Sequence, residues 1–305
     1  MPDAGGGTGT SSEAPFVEGG VSFILSPDKL DITVKVTTSG GTSVTVEGCT
    51  VTTFTSDTET TLHAKDILVI LKGKITELKC YSNQLTELNV QGLTALQKLD
   101  CDKNQLTALD VQGLTALQYL TCSDNQLTSL NVQGSTALQG LFCRNNQLIE
   151  RNVQDLTALQ KLDCDKNQLT ALNVQSLTAL QSLACDWNQL TVLNVQGLTA
   201  LQELYCSGNQ LTALDVQGLT ALRYLGCWDN QLNADAFKKL FDDLPQRADS
   251  DDANCILYTE QTGVTEGNHT DFTAPQDLKD AFNNAKNNKK WKMYKRNGSW
   301  PEVEI

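Results

Sequence analysis

The sequence predicts an α/β repeat solenoid whose concave face is lined by a parallel β-sheet. Two observations carry this. A 21-residue unit recurs from Ile75 to Leu232, and a fixed period of that size marks a stacked array of identical supersecondary units. Each unit also contains one short segment of the form xLxCx. In extended backbone its Leu and Cys point to one side and their neighbours to the other. One strand per unit gives a sheet of eight repeat strands, about 35–40 Å long at about 4.8 Å per rung.

Taken in order, residues 1–20 are mostly Gly, Ser, Thr and acidic residues. The run GGGTGTSSEAP has the composition of a flexible tether, as at the start of a mature secreted chain or lipoprotein. It contains no apolar segment of the kind a signal peptide needs. Residues 21–74 form a β-rich N-terminal cap: FILS, DITVKVTT, SVTVEG, CTVTTF and DILVIL are β-branched runs separated by Pro-Asp and Ser-Gly-Gly turns. An array needs such a cap because its first coil would otherwise expose an apolar end.

Residues 75–232 are the repeats, about eight coils. Cysteines fall every 21 residues from Cys80 to Cys227, and asparagines three later, from Asn83 to Asn230, each followed by Gln and Leu. The Asn sits just past the strand, where the chain turns, and a buried amide there can bond backbone groups of the neighbouring coil. The opposite segment, VQxLTAL, is too short for a long helix and predicts an irregular or 3₁₀-like convex face. Two coils depart from the pattern: Ser135 and Arg151 stand where the other coils carry Leu. An Arg at an inward position must snorkel or find a partner.

The unit LxxLxCxxNQLTxLxVQxLTA resembles the leucine-rich repeat, LxxLxLxxNxL. With Cys for the middle Leu and a length of 21, it is similar to the internalin J-type subfamily of bacterial surface proteins. The resemblance covers about half the chain. It implies a non-enzymatic adhesin-like module, secreted or on the cell surface, that recognises a host-derived protein or glycan.

Residues 233–305 predict an α+β C-terminal cap. Phe237, Leu240, Phe241 and Leu244 fall on one helical face, and Pro245 ends that helix. CILY reads as a strand. Thr273 with Gln276 resembles a capping box for a second helix that buries Leu278, Ala281, Phe282 and Ala285. WKMYK and WPEVEI flank a turn at Arg-Asn-Gly-Ser.

The totals exclude several classes. A net charge of −13 argues against nucleic acid, which calls for a basic footprint. The longest apolar run, Ile67 to Leu71, is far short of the roughly 20 residues of a transmembrane helix. The ten cysteines include no CxxC pair, so a zinc site is not indicated. Ladder neighbours would lie about 5 Å apart with parallel rather than convergent Cβ vectors, which disfavours disulfides. They read as reduced, buried side chains, with Cys49 and Cys255 in opposite caps. His63 and His269 have no visible partners. No phosphate loop or nucleophile motif appears, so no catalytic residue, metal or cofactor is expected.

Specificity is expected where the letters change. The outward positions around each Leu and Cys vary from coil to coil while the framework stays fixed. Aromatic residues gather at Tyr119 and Phe142, and again at Tyr205, Tyr224 and Trp228 with Trp187 at the edge. Exposed aromatics beside small residues fit a binding hot spot, and these six are the candidate ligand-binding residues of a monomer. The competing readings are that they pack against the C-terminal cap, or that the array is a structural, self-assembling surface component without another ligand.

Overall fold

The computed structural model describes residues 13–261, 263, 265–298 and 302–305, except for the side chains of residues 151 and 152. Strand Ile75–Lys79 opens the array, and seven three-residue strands follow at 21-residue intervals, from Lys98–Asp100 to Tyr224–Gly226. They pair in parallel and in register, so Leu78, Leu99, Leu120, Leu141, Leu162, Leu183, Leu204 and Leu225 form one column. In the second coil Leu96, Leu99, Cys101, Leu106, Leu109, Val111 and Leu114 are all buried. The unit is therefore one turn of a continuous apolar core.

The asparagines connect the turns. Asn104 Nδ2 donates to the carbonyls of Cys80 and Cys101, both at 3.0 Å, and its Oδ1 accepts from the backbone N–H groups of Asn83 and Leu85, also at 3.0 Å. Donation to the two Cys carbonyls and acceptance from the preceding coil's Leu N–H recur at Asn125, Asn146, Asn167, Asn188, Asn209 and Asn230. The strands are only three residues long, and their ends would leave backbone groups unpaired inside the coil. One side chain per coil satisfies them.

All ten cysteines are buried and outside any disulfide. Several thiols point along the stack to the next coil's carbonyl, as Cys164 Sγ does to Ala184 O at 3.3 Å. Burial pushes the Cys101, Cys164, Cys185 and Cys206 thiols well above their ordinary pKa, which suppresses the reactive thiolate.

The convex segment VQxLTAL folds as two successive turns closed by i→i+3 bonds, such as Leu117 N–H to Leu114 O at 3.0 Å. A feature not foreseen lies between this and the Asn ladder. Ala108–Asp110 pairs in parallel with Ser129–Asn131, and Glu150–Asn152 with Ala171–Asn173, as short strands on the opposite flank. The period-2 signal was present, since Leu109 and Val111 both point inward. Ser135 is fully buried, and its Oγ donates to Val111 O at 2.7 Å, so the polar substitution is satisfied by the preceding coil. The backbone of Arg151 pairs with Leu172; the expectation for its side chain lies outside the described residues.

The N-terminal cap contains β1 (Gly20–Ile24), β2 (Asp31–Thr38), β3 (Val44–Glu47), β4 (Thr53–Phe54), β5 (Glu59–His63) and β6 (Leu68–Lys72). β2 lies antiparallel to Ile75–Lys79 and carries β5 on its other side, which extends the concave sheet. β4, β3, β6 and β1 form a second sheet that ends on Glu87–Asn89. Asn83 joins cap to array: its Nδ2 donates to Thr33 O at 2.8 Å and its Oδ1 accepts from Thr33 N at 2.9 Å. Residues 1–12 of the expected tether lie outside the described residues. Its later part is held in place: Ala14 is buried, Ala14 O accepts from Asn89 Nδ2 at 3.0 Å, and Pro15 O accepts from Ser22 Oγ at 2.5 Å.

At the other end, strand Asn254–Thr259 continues the concave sheet parallel to the eighth coil, followed by Lys292–Arg296 and Val303–Glu304. Helix α1 (Ala234–Asp243) is capped by Asn233 and buries Phe237, Leu240 and Phe241; α2 (Gln276–Asn287) packs on it. Phe272 bridges the two helices, with its ring centroid 5.1 Å from those of Phe237 and Phe282. The capping box expected at Thr273 does not form. Pro275 takes the N-cap position without a side-chain bond, and the Thr273 hydroxyl donates to Asp271 at 2.6 Å instead. Asn268 supplies a ninth rung to the ladder: its Nδ2 donates to Cys227 O and Leu257 O, and its Oδ1 accepts from Leu232 N, all at 2.9 Å.

Asn167→Ala removes one rung: Leu148 N loses its acceptor inside the coil, while Cys143 O keeps its bond from Asn146 and Cys164 O its bond from Asn188. One buried group left unpaired costs about 1–3 kcal/mol, so a loss of that size in unfolding free energy is expected, read from urea denaturation followed by circular dichroism.

Candidate binding face

The outward positions of the concave strands form three columns along the array. They lie before the inward Leu, between Leu and Cys, and after Cys. Tyr119 is 38 % exposed, and its hydroxyl donates to Gln139 Oε1 at 3.3 Å. It lies beside half-buried Phe142 because its direct partner on the adjacent strand is Gly140. A Cβ there would meet Tyr119 Cδ1 at 2.8 Å and Phe142 Cε2 at 3.0 Å. Tyr205 and Tyr224 are half-buried and stack in adjacent coils, with centroids 4.5 Å apart and planes 32° apart.

Trp187 is 45 % exposed and lies flat over Gly208, whose Cβ would come within 2.5 Å of its ring. Trp228 is different. It is only 8 % exposed, folded over Gly226, with the Arg296 guanidinium 4.8 Å from its ring centroid. The expectation that Trp228 is part of an exposed patch is thus corrected: the C-terminal cap covers it, and the aromatic surface near the end of the array consists of Trp187, Tyr205 and Tyr224.

The column after Cys holds a feature that the sequence reading passed over. Asp165 Oδ1 accepts from Asp186 N at 2.7 Å, and Asp186 Oδ1 accepts from Ser207 N at 2.6 Å. Asp102 accepts from Ser123 N at 2.6 Å in the same way. These carboxylates form a partial second ladder along the edge of the concave sheet. The available signal was the recurrence of Asp at one position after Cys in coils two, five and six. The histidines do not join them: His63 pairs with Asp31 at 2.9 Å, and His269 contacts Asp271 O at 2.5 Å. Among the described residues no group of three or more His, Cys, Asp or Glu is placed to hold a metal.

No family model and no curated protein matches the chain. Solved structures do resemble it. The functional domain of InlJ from Listeria monocytogenes, which includes a cysteine ladder, is 28% identical with a TM-score of 0.46; the match covers 64% of this chain and 52% of that one. Internalin C2 from the same species is 27% identical with a TM-score of 0.45, covering 52% and 73%. A leucine-rich repeat protein of Leptospira interrogans is 23% identical with a TM-score of 0.54, covering 73% and 56%. The fold is a leucine-rich repeat. Stacked 21-residue coils and a buried cysteine ladder make it internalin-like. The chain spans about half the length of the first of these structures.

In this leucine-rich repeat the second ladder carries an electrostatic cost. Burial pushes the Asp102 and Asp165 carboxyls up to about 6. Asp186 is raised to about 8, chiefly by burial, then by the neighbouring Asp165 charge, with the bond from Ser207 N opposing both. Asp163 is raised by burial as well. A carboxyl whose pKa is higher folded than unfolded binds its proton more tightly in the native state. Its contribution to stability is present below the unfolded pKa, near 4, and is lost as pH rises through the folded value.

The melting temperature should therefore fall between pH of about 4 and about 8. Asp186→Asn retains an acceptor for Ser207 N without the charge. It should flatten that slope and add about 1–3 kcal/mol of stability at a pH of about 8, measured by calorimetry across the pH range.

Proposed function

We propose that the chain is a non-enzymatic binding module that grips a partner on its concave sheet, as an exported, adhesin-like surface protein. The observation that carries this reading is the contrast between framework and columns. Leu, Cys and Asn repeat without change through eight coils, whereas the outward positions on and just after the same three-residue strands differ from coil to coil and leave Tyr119, Trp187, Tyr205 and Tyr224 exposed or half-exposed. Packing does not require aromatics at half-exposed positions, and such residues are what protein interfaces use as anchors. The partner is a protein or glycan, and a host-derived one is what the resemblance of the repeat sequence to internalin J-type proteins implies. No helix among the described residues is long and apolar enough to cross a membrane.

Surface plasmon resonance of the domain against purified host glycoproteins and glycans tests this. Binding should weaken at least about tenfold in Tyr205→Ala/Tyr224→Ala and stay unchanged in Val192→Asp, which alters the opposite flank. Equal loss in both variants, or loss only in the second, would move the working face elsewhere. Concentration-dependent sedimentation with no heterologous binding would favour a self-assembling role.

A further inference from the structure

We infer that the concave sheet of coils five to eight takes a cationic protein segment, whose arginine or lysine side chains meet Asp163, Asp165 and Asp186 and lie against Tyr205 and Tyr224. The inference rests on the concave face being the working face and specifies the chemistry of what binds there.

The first observation is an uncompensated charge. Some outward charges on this sheet are paired internally: Lys98 with Glu77 and Arg223 with Glu203, both at 2.8 Å. Among the described residues none of Asp163, Asp165 and Asp186 has a basic nitrogen within 4.0 Å. Asp186 is 9 % exposed, so its charge is neither fully solvated nor matched. Next in the same column stands Ser207, fully buried, with an Oγ that has no hydrogen-bond partner. A polar edge of this kind lacks its counterpart.

The second observation is what the protein itself places at the end of that column. Arg296 comes from the C-terminal cap and sets its guanidinium over Trp228, where its charge acts on Asp186. The cap thus already sets one guanidinium against an aromatic face at the end of this column, close enough for its charge to be felt at Asp186. The adjoining face, the Tyr205–Tyr224 pair, is half-exposed and has no such cover. A ligand cation placed there would gain the same two interactions, attraction to a carboxylate and contact with a π face. Anionic partners such as nucleic acid, acidic glycans or acidic headgroups are repelled by these carboxylates and by a net charge of −13.

Several groups face this edge. Asp163, Tyr205 and Tyr224 lie on the sheet beside it, and Arg296 approaches from the cap. Arg144 and Lys166 act on Asp165. A cation must meet ionised carboxyls, and Asp165 and Asp186 ionise near about 6 and about 8. Cation affinity should therefore rise with pH over a range in which exposed carboxylates, near 4, no longer titrate.

The test is a tryptophan and tyrosine fluorescence titration of the full chain with hepta-arginine, hepta-lysine and hepta-glutamate peptides, from pH about 5 to about 8. Saturable binding of the two cationic peptides only is expected, strengthening about tenfold across that range. Asp165→Asn/Asp186→Asn should lose about tenfold at the upper end, together with the pH dependence, while remaining at least as stable. Glu59→Gln/Asp66→Asn removes two exposed charges from the N-terminal cap and should change nothing. A flat pH profile, or equal loss in both variants, would mean general attraction to an acidic protein and would overturn the inference. No hepta-arginine binding, in a protein whose glycoprotein binding still depends on Tyr205 and Tyr224, would remove the cationic partner and leave the concave face standing.

Discussion

Everything in this molecule depends on one side-chain amide per coil. A three-residue strand cannot satisfy the backbone at its own ends, and a solenoid places those ends inside each turn. The Asn ladder resolves this by spanning two coils at once: each amide donates to the Cys carbonyls of its own and the preceding coil and accepts from the preceding coil's Leu N–H. The ladder therefore fixes the register between turns. It also explains how the caps attach. Thr33 of β2 offers an N–H and a carbonyl at the first rung, and Asn268 repeats the motif at the last. Neither cap merely covers apolar surface; each ends the hydrogen-bond network with matching groups.

A framework held this way leaves the outward columns free of folding duty, and the chain uses that freedom unevenly. Lys98 and Glu77 make an exposed ion pair of the kind worth little to stability. The Asp165–Asp186–Ser207 edge is different, because burying two like charges on consecutive coils opposes folding at neutral pH. Asn would accept the same backbone bonds, as the adjacent ladder demonstrates. Asp at these positions has a cost that the fold does not need, a local conflict of the kind found at functional sites.

The division between what was legible and what was not follows from distance in sequence. The period, the inward Leu and Cys, the Asn ladder, the buried reduced thiols and the amphipathic face of α1 all depend on residues within one 21-residue window, where spacing determines direction. The ninth rung escaped because Asn268 lies 38 residues after Asn230 and outside any repeat. The short strands on the opposite flank escaped because Ala-Leu-Asp is weak as a strand signal, and stacking against identical coils makes it one. Trp228 was misplaced for a similar reason. Its column position predicts exposure, and only the return of the chain 68 residues later brings Arg296 over it.

The aromatic positions further indicate that exposure on a solenoid face is a property of pairs of coils. Trp187 lies flat because the next coil has Gly208, and Tyr119 and Phe142 come together over Gly140. In the loop after Cys, Lys103, Asp124, Asn145, Lys166, Trp187 and Asp229 all adopt φ between 52° and 57°. That region is strained for any residue with a Cβ, yet glycine occupies the position only at Gly208, beside Trp187. Relief of backbone strain alone would favour glycine at every coil. Its restriction to Gly208 points to the indole as the reason: a side chain at that position would lift Trp187 off the surface. A binding face on this array is therefore encoded in adjacent letters of successive repeats, and exchanging a whole coil would disturb the face at both of its neighbours.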